Sequence, residues 1–70
     1  MVTQDLFAAG DVYLDDPYQD CKFRYEHETG KVFARPYGSG RENEIERTNS
    51  YWGEAKSGGK VITKEEYYCD

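Results

Sequence analysis

The sequence has few of the residues from which catalytic and metal sites are usually built. Its 70 residues include one histidine, His27, and two cysteines, Cys21 and Cys69. The cysteines are too few and too far apart for a structural zinc site or a disulfide framework, although a single bridge between them stays open. His27 lies beside a predicted turn, and its neighbours Glu26 and Glu28 point to the other side of the strand or lie in the loop, which does not favour acid or base work. We therefore expect no catalytic residue, no metal and no cofactor, and predict that the chain is not an enzyme.

A long apolar run and a basic segment are also lacking. No apolar segment approaches the roughly 20 residues of a membrane span, and the start Met1 to Asp5 does not resemble a signal peptide. Fourteen acidic residues against nine basic ones leave a net charge of -5. Such a charge opposes nucleic acid, because phosphates are bound mainly through Lys and Arg. We expect a cytoplasmic protein that contacts neither membranes nor nucleic acid directly.

The length limits the chain to a single small domain, residues 1–70. A domain of this size buries only about 60% of its unfolded surface, so a partner, a homodimer or a disulfide bond would add useful stability. The mean hydropathy is -0.99, yet 16% of the residues are aromatic and seven are tyrosines. This aromatic content argues against a disordered chain.

Two alternating segments flank a turn only in residues 21–37. Alternation places Cys21, Phe23, Tyr25 and His27 on one side of the first strand. A three-residue loop, with Gly30 in the left-handed conformation, would pair Tyr25 with Phe33 and put both in the core. The predicted fold is therefore α+β, with a small antiparallel sheet of about three strands centred on a 21–37 β-hairpin and short helices at the ends.

The predicted terminal helices and the additional strand rest on local signals. Residues 3–10 favour a helical turn that Thr3 can cap, and residues 11–14 favour a strand that pairs beside the hairpin. Thr63 and Glu66 have the spacing of a reciprocal capping box, which predicts a C-terminal helical turn.

Residues 50–58 allow two interpretations. Asn49 or Ser50 could cap a helix that ends at the following glycine pair. The same Gly-Gly pair would also permit a hairpin between residues 51–55 and 60–62. The sequence leaves both interpretations open.

An acidic segment with interleaved tyrosines is the feature that points most directly to a function. From Asp5 to Asp20 there are five aspartates and no basic residue. Carboxylates can imitate phosphate charge and meet Lys or Arg of a partner, while Tyr and Trp are frequent anchors at interfaces. The alternative is a solvated surface that only keeps the protein soluble. The predicted partner-binding residues are Asp11, Tyr13, Asp15, Asp16, Tyr18, Asp20 and Trp52.

We predict a small acidic protein-binding module, an inhibitor or adaptor that occludes a basic, for example nucleic-acid-binding, surface of a partner and so acts as a nucleic-acid mimic. The alternative is a homo-oligomeric structural or assembly protein that associates with itself through its aromatic surface. The small size, the acidity and the ending Gly-Lys-Val-Ile-Thr-Lys-Glu-Glu-Tyr at 59–67 are similar to small phage-encoded accessory proteins. That resemblance implies a viral accessory protein.

Overall fold

Five antiparallel strands form the sheet, within residues 9–69, the part of the chain that the computed structural model describes. The elements in chain order are β1 (Val12–Asp16), β2 (Cys21–Glu26), β3 (Lys31–Pro36), β4 (Asn43–Ile45), α1 (Ser50–Gly58), β5 (Lys60–Ile62) and α2 (Lys64–Tyr68). Across the sheet the strands follow the order β4-β3-β2-β1-β5.

The predicted α+β class and the small antiparallel sheet are confirmed, but the expected number of about three strands is wrong. The two outer strands, β4 and β5, have three residues each. Segments this short show too little alternation to be recognised from the sequence. The helical turn expected at residues 3–10 lies almost entirely outside the described residues.

The predicted hairpin is formed by β2 and β3, but its register differs from the prediction by one residue. The loop has four residues, 27–30, and the amide of Gly30 donates to the carbonyl of Glu26 at 2.8 Å. Gly30 has a φ of 73°, the left-handed conformation that was predicted. Tyr25 pairs with Val32 and not with Phe33. Because side chains alternate along a strand, this shift moves Phe33 to the opposite face of the sheet.

One face of the sheet packs against α1 and forms the main core. Its buried residues are Val12, Leu14, Phe23, Val32, Trp52 and Ala55. The Trp52 ring lies 6.1 Å from the Phe23 ring and stacks almost parallel to Tyr25 at 6.4 Å. These contacts join α1 to β2, next to the strand β1 over which the helix mainly packs.

The open choice for residues 50–58 is resolved as a helix. Its N-cap is Asn49, whose side chain accepts a hydrogen bond from the amide of Tyr51 at 2.8 Å. The segment Lys60–Ile62 is nevertheless a strand, which pairs with β1 and not with residues 51–55. The helix interpretation is therefore confirmed, and the hairpin interpretation is wrong, although residues 60–62 do form a strand.

The opposite face of the sheet is covered by α2. The capping box is confirmed, because the Thr63 amide donates to the Glu66 carboxylate at 3.2 Å and the Glu66 amide donates to the Thr63 hydroxyl at 3.1 Å. Tyr67 is fully buried. Arg35 donates to the Tyr67 carbonyl at 2.6 Å, and Lys22 donates to the Glu66 carbonyl at 2.7 Å. These cations satisfy carbonyls at the C-terminal end of α2, where positive charge is favourable.

Glu42 connects this face of the sheet to α2. Arg24 donates to its carboxylate from Nε at 3.3 Å and from Nη2 at 2.6 Å, and the Tyr67 hydroxyl donates to it at 3.0 Å. Burial by itself would raise the pKa of Glu42, but the hydrogen bonds from Arg24 and Tyr67 hold that pKa below its ordinary value. The ionised carboxylate therefore stabilises the fold.

We expect Glu42→Gln to destabilise the protein at pH 7 by about 1 to 2 kcal/mol, because Arg24 loses a charged acceptor. A carboxyl group with a lowered pKa stabilises the fold above its unfolded-state pKa, and this stabilisation is lost as the pH falls through the folded-state pKa. Wild type should lose stability below the ordinary pKa of 4.5, and Glu42→Gln should lose less. Denaturant unfolding across this pH range measures both effects. Glu28→Gln, in the exposed hairpin loop, is the control, and equal acid sensitivity of Glu42→Gln and wild type would contradict the argument.

Candidate functional site

The structure distributes the predicted partner-binding residues over both ends of the sheet and its two faces. Asp11 lies beside the 27–30 loop, where its carboxylate accepts a hydrogen bond from the amide of His27 at 2.8 Å. The opposite end holds the β1–β2 turn, residues 17–20. Four of the predicted residues lie in or next to this turn: Asp15, Asp16, Tyr18 and Asp20.

Trp52 is only 2% exposed, because α1 turns this side chain into the core. The ammonium of Lys56, on the next turn of the helix, lies 5.7 Å from its ring. The indole cannot contact a partner while the core is intact. The structure thus places Trp52, one of the predicted partner-binding residues, in the core and not on the surface.

Two further predicted residues have structural partners. Asp16 is 3% exposed, and its carboxylate accepts hydrogen bonds from the amide of Tyr18, at 3.1 Å, and from the side chain of Gln19. Asp16 stabilises the turn from within and, as the structure places it, offers a partner little surface. Tyr13 is half-buried, with its ring 5.3 Å from that of Tyr67. Burial, together with the charge of Asp11, raises the pKa of the Tyr13 hydroxyl.

Exposed tyrosines gather at the end of the sheet that carries the 17–20 turn. Tyr18 is 92% exposed, Tyr51 61% and Tyr37 42%. Hydrogen bonds connect them to the turn: the Tyr37 amide donates to the Asp20 carbonyl at 2.9 Å, and the Gln19 side chain donates to the Tyr51 carbonyl at 3.2 Å. We call this surface the tyrosine–aspartate end and define it as Asp15, Tyr18, Asp20, Tyr37 and Tyr51.

Tyr37 and Asp15 are paired within this surface. The Tyr37 hydroxyl donates a hydrogen bond to the Asp15 carboxylate. Burial, followed by the hydrogen bond to Asp15 and its charge, raises the pKa of Tyr37. The pair presents a ring and a carboxylate in a fixed arrangement, as an interface anchor requires.

Sequence reasoning did not include Tyr37 or Tyr51 among the partner-binding residues. The predicted three-residue loop would put Tyr37 opposite Cys21 on the aromatic face, whereas in the structure Cys21 pairs with Pro36. Tyr51 stands next to Trp52, and only the direction in which α1 turns decides which of the two rings is buried. No signal in the sequence alone would have distinguished them.

Two cavities flank Pro36 at this end, one on each face of the sheet. The cavity on the α1 face has a volume of about 370 Å³ and is lined by uncharged residues, among them Cys21, Phe23, Ala34, Ile45 and Tyr51. We call it the α1 groove. The cavity on the α2 face has a volume of about 260 Å³ and is lined by Asp15, Lys22, Arg35 and Tyr37, among others.

The chemistry of this end is that of a binding surface. Cys21 and Cys69 are free thiols, and burial raises the pKa of Cys21, which disfavours the reactive thiolate. Within residues 9–69, no group of three or more His, Cys, Asp or Glu side chains is placed to hold a metal ion. No helix in the same range is long and apolar enough to cross a membrane.

Alanine substitutions test the finding that Trp52 is buried in the core and Tyr18 is exposed. Trp52→Ala should destabilise the protein by about 3 to 5 kcal/mol and unfold so small a domain, because a large side chain leaves the core. Tyr18→Ala should leave the melting temperature within about 2 °C of wild type, because its ring is exposed. Thermal unfolding followed by circular dichroism measures both. A folded Trp52→Ala variant with near-wild-type melting would show that the indole is not a core residue.

Comparison with known proteins adds information that this geometry cannot supply. A family model described as Tis1 immunity protein matches residues 1–69. The "Immune protein Tis1" of Pseudomonas aeruginosa (strain UCBPP-PA14) is 34% identical over 64 residues, which cover 90% of this chain and 83% of that protein. A chain in the crystal structure of the complex between the Type VI effector Tas1 and its immunity protein has a similar fold, with a TM-score of 0.88 and 31% identity. The match covers 96% of the present chain and 91% of that chain. None of these matches supports the resemblance to phage accessory proteins.

Proposed function

Since the chain belongs to the Tis1 immunity protein family, we propose that it binds a type VI effector of the Tas1 kind and inhibits it. The observation that carries this proposal is the similarity, along nearly the whole chain, to a chain of the complex between Tas1 and its immunity protein. The family consists of immunity proteins that bind an effector and are not enzymes, in agreement with the prediction that this chain is not an enzyme.

We place the effector-binding surface at the tyrosine–aspartate end. Three cations of the central strands, Lys22, Arg24 and Arg35, lie on the α2 face, where they bond to α2 carbonyls or to Glu42. They are therefore not arranged to neutralise the exposed carboxylate of Asp20. A surface with this charge attracts a basic partner and accelerates its association.

The proposed mechanism is occlusion of a basic surface of the effector. Occlusion needs area, anchors and complementary charge, and no catalytic group. The tyrosines offer large contact areas with few rotatable bonds, and the aspartates would stand where phosphate groups of a nucleic acid or nucleotide otherwise bind. In this sense the protein would act as an anionic mimic.

Replacing Asp15 and Asp20 together with Asn should slow association with the effector by about 10-fold at low salt, the lower end of the range for electrostatic steering. The effect should shrink at physiological ionic strength, because salt screens exposed charges. A matched control replaces Asp11 with Asn and Glu28 with Gln, which removes the same charge at the opposite end of the sheet. Association and dissociation rates are measured by surface plasmon resonance on an immobilised Tas1-type effector from the source organism.

Equal slowing by the two double variants would mean that only net charge matters, and the binding surface would then have to be sought elsewhere. A wild-type protein that does not bind the effector would contradict the proposed function itself. Self-association remains the alternative, and sedimentation velocity over a concentration series tests it, because a dimer dissociates on dilution.

A further inference from the structure

We propose that the α1 groove receives a bulky aliphatic or aromatic side chain of the effector, next to a Lys or Arg that meets the carboxylates beside the groove. This inference rests on the proposed function and specifies how the tyrosine–aspartate end would hold its partner. Charge would then bring the effector to the surface, and the groove would retain it.

The groove exists because α1 covers only part of its face of the sheet. Among the described residues, α1 packs mainly over β1, whereas the β3–β4 side of the same face carries half-buried Ala34 and Ile45. Phe23 forms the floor, at 1% exposure, and Tyr51 stands at the rim with 61% of its surface exposed. A ring at the rim and an aliphatic wall are the features of a pocket for an apolar anchor.

The size of the groove suits a side chain. Its volume of about 370 Å³ is at the lower end of the range of about 300 to 1,000 Å³ for pockets that hold whole small ligands, so it has room for one large side chain. Covering half-buried apolar side chains with an apolar group removes their remaining surface from water, which favours binding in proportion to the area covered.

The charges near the groove indicate which kind of effector residue should stand next to the apolar side chain. None of the residues that line the groove is charged. Exposed carboxylates stand next to two of them in the chain: Asp20 precedes Cys21, and Glu46 follows Ile45. The neighbouring cations Lys22 and Arg35 lie on the other face of the sheet, because side chains alternate. An apolar residue flanked by a basic one complements this arrangement.

The test uses two variants that alter the groove in different ways and one matched control. Tyr51→Ala removes the rim, and Ala34→Leu adds a side chain that fills the groove. Tyr68→Ala, the control, removes a tyrosine that is 48% exposed on α2, across the sheet from the groove. Each purified variant is assayed for binding to the Tas1-type effector by surface plasmon resonance, and its melting temperature is measured without the effector.

We expect Tyr51→Ala and Ala34→Leu each to accelerate dissociation by at least about 10-fold, with association little changed, because anchors act mainly on the dissociation rate. Tyr68→Ala should dissociate like wild type. If Ala34→Leu fails to fold, the smaller Ala34→Val replaces it, because Tyr51 also belongs to the tyrosine–aspartate end and cannot test the groove alone. If wild type binds the effector and the folded groove variants dissociate at the wild-type rate, the groove is not a binding site for an effector side chain. The proposed function would still stand. Absence of wild-type binding would instead overturn the proposed function.

Discussion

The register of the hairpin between β2 and β3 determines what each face of the sheet receives. The loop has four residues and closes at Gly30, whose φ of 73° reverses the chain without a side-chain clash. With this register Val32 pairs with Tyr25 and enters the main core, while Arg35 pairs with Lys22 on the other face. A slip of one residue would exchange the two sets, because alternate side chains point in opposite directions. The core, the contacts of α2 and the α1 groove all depend on this one constraint.

The register also places three cations of the central strands, Lys22, Arg24 and Arg35, on one face of the sheet. On the α2 face, Arg24 and its neighbours are held by Glu42 and by carbonyls of the C-terminal helix. Lys22 and Arg35, which also bond to carbonyls of α2, line the cavity on that face together with Asp15. Within the tyrosine–aspartate end, Asp15 therefore lies near these cations, whereas Asp20 lies in the exposed turn. A net charge of -5 does not by itself reveal this asymmetry.

Local sequence signals predicted much of this fold. Features that depend on residues distant in the chain were not predicted. The hairpin, the left-handed Gly30, the Asn49 cap and the Thr63 capping box each depend on a few adjacent residues. The register was wrong because three- and four-residue loops fit the same sequence, and the short outer strands have no pattern of their own. At the site, Asp20 and Tyr18 were named because they lie in an acidic turn. Tyr51 is exposed and Trp52 is buried because of the way α1 packs on the sheet. The hydrophobic periodicity of so short a helix does not determine which side faces the core.

Preorganisation connects the turn to the proposed binding role. Asp16 fixes the turn from inside through the amide of Tyr18, and Asp20 adopts a φ of 50°, a conformation that aspartate tolerates better than most residues. The Asp20 carbonyl is bonded to the Tyr37 amide, so the turn is also joined to the end of β3. The backbone that presents Tyr18 is thus ordered before any partner arrives. An effector would have to immobilise only the exposed ring, which lowers the entropic cost of binding. In a domain with so small a core, a rigid turn provides this advantage without additional buried residues.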